Sequence, residues 1–459
     1  MAPGDRFSVK WISHFRFAAM MRIAALAVLA SLAAGSATAS GRYEGVASCA
    51  GSTCHGRAEG DGKIVRQDEL RIWQEPSSRS GAHSRAFAAL SSSRGQSITR
   101  ALGFGNAETA PACLGCHVTP AGPRGDRFQA SDGVGCESCH GPASGWIAGH
   151  YAMNASHAGN IAGGLLALDN PGVRASVCLD CHYGSSKPGQ FVTHAMMAAG
   201  HPRIAFELDL FSSLQQHWND DADYGQRKRR TDSVQLWAVG QAQATARSLD
   251  LFARVDFATD GIFPEFTFYD CHSCHRAIDD NPARERRFEV NPGRPVPFAQ
   301  PPYNDENIIM LSAVAQVLAP AQAAQFDAAA RAFHAAMGQN RAEAVAAANR
   351  LRGAATVMAQ ALAQGPGGGE TAFRVVAAIG GRAISPRFTD YAGSAQAVMA
   401  VDTLLNAMVR DGRITIGAAA GIRANINRAY GAVSSPASYR PAAFRAALGE
   451  AVRSIMALQ

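Results

Sequence analysis

From Asp305 to Gln459 apolar residues recur at helical spacing, as in Ile308, Leu311, Ala315 and Leu318. Alanine dominates this stretch, and cysteine is absent from it. Pro320, the Gly365-Pro366-Gly367-Gly368-Gly369 break, Pro386 and Pro436 punctuate it. The pattern predicts roughly five to seven helices packed as an antiparallel bundle. Another helix is expected from about Asp232 to Val255, with Thr231 as its N-cap candidate and Trp237 and Leu251 buried. Between Ser40 and Arg230 the periodicity is weak, the chain is rich in Gly, Ser and Pro, and only short helical pieces are expected. Residues 291–304, with Pro292, Pro295, Pro297, Pro301 and Pro302, read as an extended connector. The expected fold class is mainly α: a loop-rich domain over residues 40–290, then an Ala-rich helical bundle over 305–459.

The first 39 residues read as a secretory signal. Arg22 precedes an apolar stretch from Ile23 to Ala34, and Ala37-Thr38-Ala39 is a small-x-small cleavage site, so the mature chain is expected to begin at Ser40. The stretch is too short to span a bilayer comfortably, and no later segment is long and apolar enough to be a transmembrane helix. The expected destination is an oxidising compartment, most simply a bacterial periplasm.

Export makes disulfides the default expectation for the ten cysteines. Their spacing contradicts it. Four pairs are Cys-x-x-Cys-His: Cys113-Cys116-His117, Cys136-Cys139-His140, Cys178-Cys181-His182 and Cys271-Cys274-His275. The remaining pair, Cys49 and Cys54 followed by His55, has a longer loop, and no cysteine is left over. Two thiols a short fixed distance apart can add to the two vinyl groups of one haem, and the next residue, histidine, then supplies an axial imidazole. Zinc is the alternative, since Cys113, Cys116, Cys136 and Cys139 alone have ribbon spacing. A zinc ribbon has no need of the histidine, and five such coincidences have a chance on the order of 10⁻⁸. The expected cofactor is therefore haem c, five per chain and covalently bound.

The formal charge of +6 includes the net +3 of Asp5, Arg6, Lys10, Arg16 and Arg22 in the signal. Five haems would add roughly −10 through their propionates, leaving the mature protein near −7. The basic balance is thus no argument for a nucleic-acid or membrane-surface partner. Arg227-Lys228-Arg229-Arg230 reads as a solvated loop, with docking to an acidic partner as the alternative.

Five proximal histidines leave five axial positions to fill. The mature chain offers His83, His150, His157, His194, His201, His217, His272 and His334. That surplus suits bis-histidine ligation, which keeps iron low-spin and six-coordinate.

Three stretches resemble a known family. Ile72-Trp73 through Ser80-Gly81-Ala82-His83-Ser84-Arg85-Ala86 resembles the Trp…Ser-x-His-Ala segment that opens the cytochrome c-554 family of multihaem cytochromes. Gly133-Val134-Gly135-Cys136-Glu137-Ser138-Cys139-His140-Gly141-Pro142, followed by His150, is similar to that family's haem segment. His194-Ala195-Met196-Met197-Ala198-Ala199-Gly200-His201-Pro202 resembles distal-ligand loops of related periplasmic proteins. The likeness runs from about Arg42 to Arg276. It implies that His83, His150, His194 and His201 are distal ligands to haems other than their own. The chain departs from the family in having five motifs where that cytochrome has four, and in its longer first loop. His157, His217, His272 and His334 compete for the last position, with His272 read as a loop residue and His334 as a helix-surface or core residue. Proximal histidines only 23 residues apart, His117 and His140, make the second and third sites expected stacking neighbours.

The expected function is periplasmic electron transfer between donor and acceptor proteins, without catalysis. The alternative is a multihaem redox enzyme acting on a small nitrogen or sulfur species at one five-coordinate haem, with Tyr269, Asp270 and His272 near it. No Cys-x-x-Cys-Lys motif, which marks the active site of pentahaem nitrite reductases, is present. The bundle is expected to serve as structural support, with a membrane-associated partner or a second copy of the chain as its alternative role.

Overall fold

The computed structural model describes residues 41–60, 66–219, 222–257, 264–276, 293–296, 300–385 and 390–459. The candidate signal and its cleavage site lie outside the described residues, as do Pro292, Pro297 and Pro386. Nineteen α-helices and no strand occur among the described residues, so the chain is mainly α. Two isolated β-bridges, Tyr43 to Arg124 and Tyr269 to Tyr303, are the only extended pairings among them.

The apolar period of the C-terminal third becomes seven helices: Glu306–Leu318, Pro320–Ala336, Arg341–Leu362, Gly368–Ala383, Tyr391–Arg410, Ile416–Ala432 and Pro441–Met456. Their starts follow from local chemistry. Pro320 and Pro441 sit in first turns, where the missing N–H costs nothing. Asn340, Asp390 and Thr415 accept hydrogen bonds from the N–H groups of Glu343, Gly393 and Ala418. Short connections lay most consecutive helices against one another, and buried alanines such as Ala348, Ala355, Ala397 and Ala400 let their backbones approach closely.

Helix Ser233–Ala253 belongs to the same core. It packs along Arg341–Leu362 and Glu306–Leu318, and Trp237 and Leu251 are fully buried as expected. Its N-cap is Asp232, one residue beyond the expected Thr231. The Asp232 carboxylate accepts from Gln235 N–H at 3.1 Å and also reaches Gly368 N–H at 2.7 Å, which stitches this helix to the start of another. The other face of the helix meets Pro171–His182 and Leu208–Leu214. Asp180 accepts from Arg247 at 2.7 Å, and Gln396 donates to the Phe206 carbonyl at 3.0 Å. The bundle is thereby tied to the loop-rich region by buried polar contacts as well as apolar ones. In the basic run, Arg229 bonds the Ala363 carbonyl and the Gln235 side chain.

Candidate haem-binding site

The Cys-x-x-Cys-His motifs are numbered first to fifth in chain order. In the second to fifth, both cysteines lie on one helical turn: Pro111–His117, Cys136–His140, Pro171–His182 and Cys271–Cys274. Residues three apart share a helix face, so the two thiols point the same way. Caps fix these turns. Asn170 accepts from Gly172 N–H at 2.9 Å, and Asp270 accepts from Ser273 N–H at 3.0 Å. The first motif is a turn with two extra residues, yet His55 N–H still returns to the Cys49 carbonyl at 3.2 Å. In the fifth motif His275 N–H makes the equivalent bond to the Cys271 carbonyl at 2.8 Å. All ten cysteines are free thiols.

Each motif histidine faces one other histidine ring. The ring centroids are 6.0 Å apart for His55 and His150, 6.4 Å for His117 and His201, and 6.1 Å for His140 and His217. They are 6.0 Å apart for His182 and His83 and for His275 and His194. An imidazole nitrogen lies about 1.1 Å from its ring centroid and bonds a metal at about 2.0–2.1 Å, so two rings on one metal atom have centroids about 6.3 Å apart. The five separations cluster at that value.

The Nδ1 atoms support the same orientation. His117 Nδ1 lies 2.6 Å from the Ala86 carbonyl, His201 Nδ1 2.8 Å from that of Pro202, and His217 Nδ1 2.8 Å from that of Gln215. His55 Nδ1 is 3.0 Å from the Glu69 carboxylate, and His83 Nδ1 3.1 Å from Gln215 Oε1. A ring that donates from Nδ1 presents Nε2 as its lone-pair nitrogen. Burial favours the neutral, ligating form: it holds His140 down at about 3 and His182 at about 4, and it also lowers His83, His150, His201 and His217. His55 is raised instead, by its hydrogen bond to Glu69.

The remaining histidines are engaged elsewhere. His157 Nε2 is 3.4 Å from Asp169, His272 Nδ1 2.8 Å from the Pro436 carbonyl, and His334 Nε2 3.0 Å from Asp305. Of the four competitors for the last position, His217 is therefore the one that faces a motif histidine. Asp270 caps its motif helix, Tyr269 bridges to Tyr303, and His272 packs edge-on against Tyr439.

Thiols of different motifs also meet. The Cys49 thiol lies beside that of Cys136, and the Cys116 thiol beside that of Cys181, close enough for each to shift the other's titration. The contacts thus join the first motif to the third and the second to the fourth. Cys139 in turn lies within electrostatic reach of Cys178 and Cys181, and burial pushes Cys139 up to about 11 and Cys178 to about 12. Cys54 and Cys274, in the first and last motifs, are the two exposed cysteines.

Side chains outside the motifs hold this arrangement. The buried Glu137 carboxylate, inside the third motif, accepts from the N–H groups of Glu44 at 2.9 Å, Gly45 at 2.7 Å and Ala143 at 2.7 Å. Gly45 has φ +87°, and a Cβ there would lie 2.4 Å from the Arg127 carbonyl oxygen, so only glycine fits. Trp73 Nε1 donates to the Val134 carbonyl at 3.1 Å, fixing the His83 segment on the third motif. Gln215 serves two rings at once, its side chain orienting His83 and its carbonyl His217. Nothing in the sequence marks it beyond its place two residues before a histidine.

Residues 48–141 match the family model described as cytochrome c554 and c-prime. The matched stretch holds the first three motifs and His83, and it supports a c-type cytochrome family, with covalently bound haem c and haem-based electron transfer. No curated protein and no solved structure matches the chain. Among the described residues, no helix is long and apolar enough to cross a membrane.

Proposed function

We propose that the chain is a periplasmic pentahaem electron-transfer protein in which every iron has two histidine ligands. The observation that carries this reading is the set of five facing rings, each pairing one motif histidine with one other. His150, His201, His217, His83 and His194 would be the distal ligands of the first to fifth sites, opposite His55, His117, His140, His182 and His275. Cys49 with Cys54, Cys113 with Cys116, Cys136 with Cys139, Cys178 with Cys181, and Cys271 with Cys274 would carry the thioether links. When bound, each haem supplies one-electron redox chemistry at iron. The chain supplies two imidazoles per site, with His55, His83, His117, His201 and His217 oriented by Nδ1 acceptors, which keeps reorganisation small and leaves no axial position for a substrate. The enzymatic alternative has no observation favouring it here.

The thiol contacts support a row of sites in the order first, third, fourth, second, fifth. The segment 194–201 carries the distal ligands of the fifth and second sites, which makes these two neighbours. The exposed cysteines lie at the two ends of that row, so donor and acceptor proteins are expected at the first and fifth sites.

The test is haem quantitation joined to low-temperature electron paramagnetic resonance of the oxidised protein. Five haems per chain and only low-spin signals are expected. His217→Ala should convert one site to high spin while His157→Ala leaves the spectrum unchanged. A high-spin centre in the unaltered protein would overturn the carrier reading in favour of catalysis.

A further inference from the structure

We propose that Asp390, with Asp270 and Asp305 beside it, is a proton-binding site coupled to the redox state of the iron between His194 and His275. The inference rests on the five-site reading and adds a proton to its fifth site.

The cluster lies where the fifth motif docks on the bundle. Asp270 directly precedes Cys271, and its Oδ2 takes the Ser273 N–H at 3.0 Å and hydroxyl at 2.8 Å. Its Oδ1 is buried without a hydrogen-bond partner among the described residues. Asp390 caps helix Tyr391–Arg410 and lies 2.7 Å from one nitrogen of Arg294. Asp305 lies 2.8 Å from another Arg294 nitrogen, and its second oxygen is 3.0 Å from His334 Nε2. His334 Nδ1 is buried with no partner among the described residues. Asp270, Asp305, Asp390 and His334 are each no more than 4% exposed.

The charges do not cancel. Among the described residues three carboxylates share one guanidinium, and even a protonated His334 leaves one negative charge in excess. The neighbouring Arg203–Glu306 pair, at 3.1 Å, is neutral as a unit and offers no relief. Burial of an unpaired carboxylate is costly, and taking up a proton removes the cost. The groups facing Asp390 are Arg294 from the connector, Asp270 and Cys271 from the fifth motif, Asp305 from the start of its helix, and Tyr439 from the bundle. Burial, opposed by Arg294 and helped by Asp270 and Asp305, pushes the Asp390 carboxyl up to about 7.

The same acids reach the fifth site. Burial raises the Cys271 thiol most and Arg203 opposes it, while Asp270, Glu306 and Asp390 add to the rise, so these carboxylates lie within electrostatic reach of a sulfur that would link the porphyrin. A haem held there by Cys271, Cys274, His194 and His275 would take one electron from an external donor, which would lower the positive charge beside the cluster by one. The Asp390 carboxylate then binds one proton from water and becomes a carboxylic acid, so electron and proton charges balance. By reciprocity, binding that proton raises the potential of the site, and the potential falls as pH rises through the window around neutrality.

The test is a potentiometric titration of the full-length holoprotein from about pH 6 to about pH 8.5, beside Asp390→Asn and Asp390→Glu. Asparagine caps a helix as well as aspartate, so the start of helix Tyr391–Arg410 is kept. One of the five steps should fall by up to about 59 mV per tenfold drop in proton concentration, the one-electron conversion. Asp390→Asn should flatten that step and Asp390→Glu restore its slope. His194→Ala should make the same site high-spin. Slopes unchanged in Asp390→Asn, with five haems present, overturn the inference alone; fewer than five haems overturn the underlying reading. If Asp390→Asn fails to fold, redox-difference infrared spectra of the unaltered protein decide. A protonated carboxyl band appearing on reduction supports the site, and its absence overturns it.

Discussion

The loop-rich region and the helical bundle solve the problem of an interior in opposite ways. The bundle, with helix Ser233–Ala253 at its centre, owns one continuous cluster of buried apolar side chains running from Val234 to Ile455. The only other cluster among the described residues is Ala175, Leu179, Phe206, Leu208, Leu236 and Ala244, and it borrows two of those from the bundle's central helix. No residue before Ala175 belongs to either cluster. What occupies the middle of the loop-rich region is imidazole rings, thiols, the buried carboxylates of Asp68 and Glu137, and scattered apolar side chains such as Val46, Leu90, Val118 and Trp146 that form no cluster. Such a set contributes less by leaving water than a continuous apolar cluster does, so order there has to come from bonds to something the chain does not itself supply.

The contrast can be broken most severely by withholding haem. Full-length chain made without haem attachment should lose order across residues 41–215 while the bundle keeps its helices. Hydrogen exchange would show this as fast exchange in the first region and protection in the second. Equal protection of both would mean that the loop-rich region has a core of its own. The reverse perturbation strikes the bundle. Phe333 is fully buried against Phe252 and Tyr303. Phe333→Ala should cost about 3–5 kcal/mol in denaturant unfolding, with the low-spin haem spectrum of the folded protein unchanged. A smaller effect is expected at one ring. Gln215→Ala removes the side-chain acceptor of His83 but spares the backbone acceptor of His217. It should weaken the distal ligand of the fourth site alone, by about 10–100-fold in ligand displacement by an added imidazole. Equal weakening at the third site would show that the two rings are not held independently.

The two regions also differ in how far the amino-acid sequence discloses them. The bundle is announced by its period and its breaks, because each helix buries a stripe that spacing alone reveals. Helix Ser233–Ala253 is buried on almost every side, so its length is legible but its place at the centre is not. The motifs are legible because covalent attachment fixes a local spacing. Ring pairing is not local. His83 meets His182 and His140 meets His217 through packing of aperiodic loops, and nothing in the chain distinguishes His217 from His157 as a candidate. The same holds for the thiol contacts, which join motifs far apart in the chain. Asp232 displaced Thr231 as a cap because its carboxylate also serves Gly368, a partner 136 residues away.

The subtlest test falls on the joint between the regions. Glu207 is buried, and its carboxyl accepts from the N–H groups of Asp209 and Leu210 at 2.8 Å each and from the Thr403 hydroxyl of the bundle at 3.0 Å. Burial, reinforced by the neighbouring Asp209, pushes it up to about 8. An unfolded glutamate titrates near pH 4.3. Across the interval between the two values the folded protein holds a proton that the unfolded chain has released. Stability from this group is therefore complete below about pH 4.3 and is lost as pH rises toward about 8, with a slope of at most about 1.4 kcal/mol per pH unit. Glu207→Gln stays neutral throughout and forfeits one acceptor oxygen, a loss of about 1 kcal/mol near pH 5. Its melting temperature should lie below that of the unaltered protein at pH 5, and the gap should close or invert by about pH 8. Parallel melting curves for the two proteins across that range would mean that Glu207 enters the joint already ionised, held there by its three donors, and that the seam between the cofactor-built and alanine-built halves does not respond to protons.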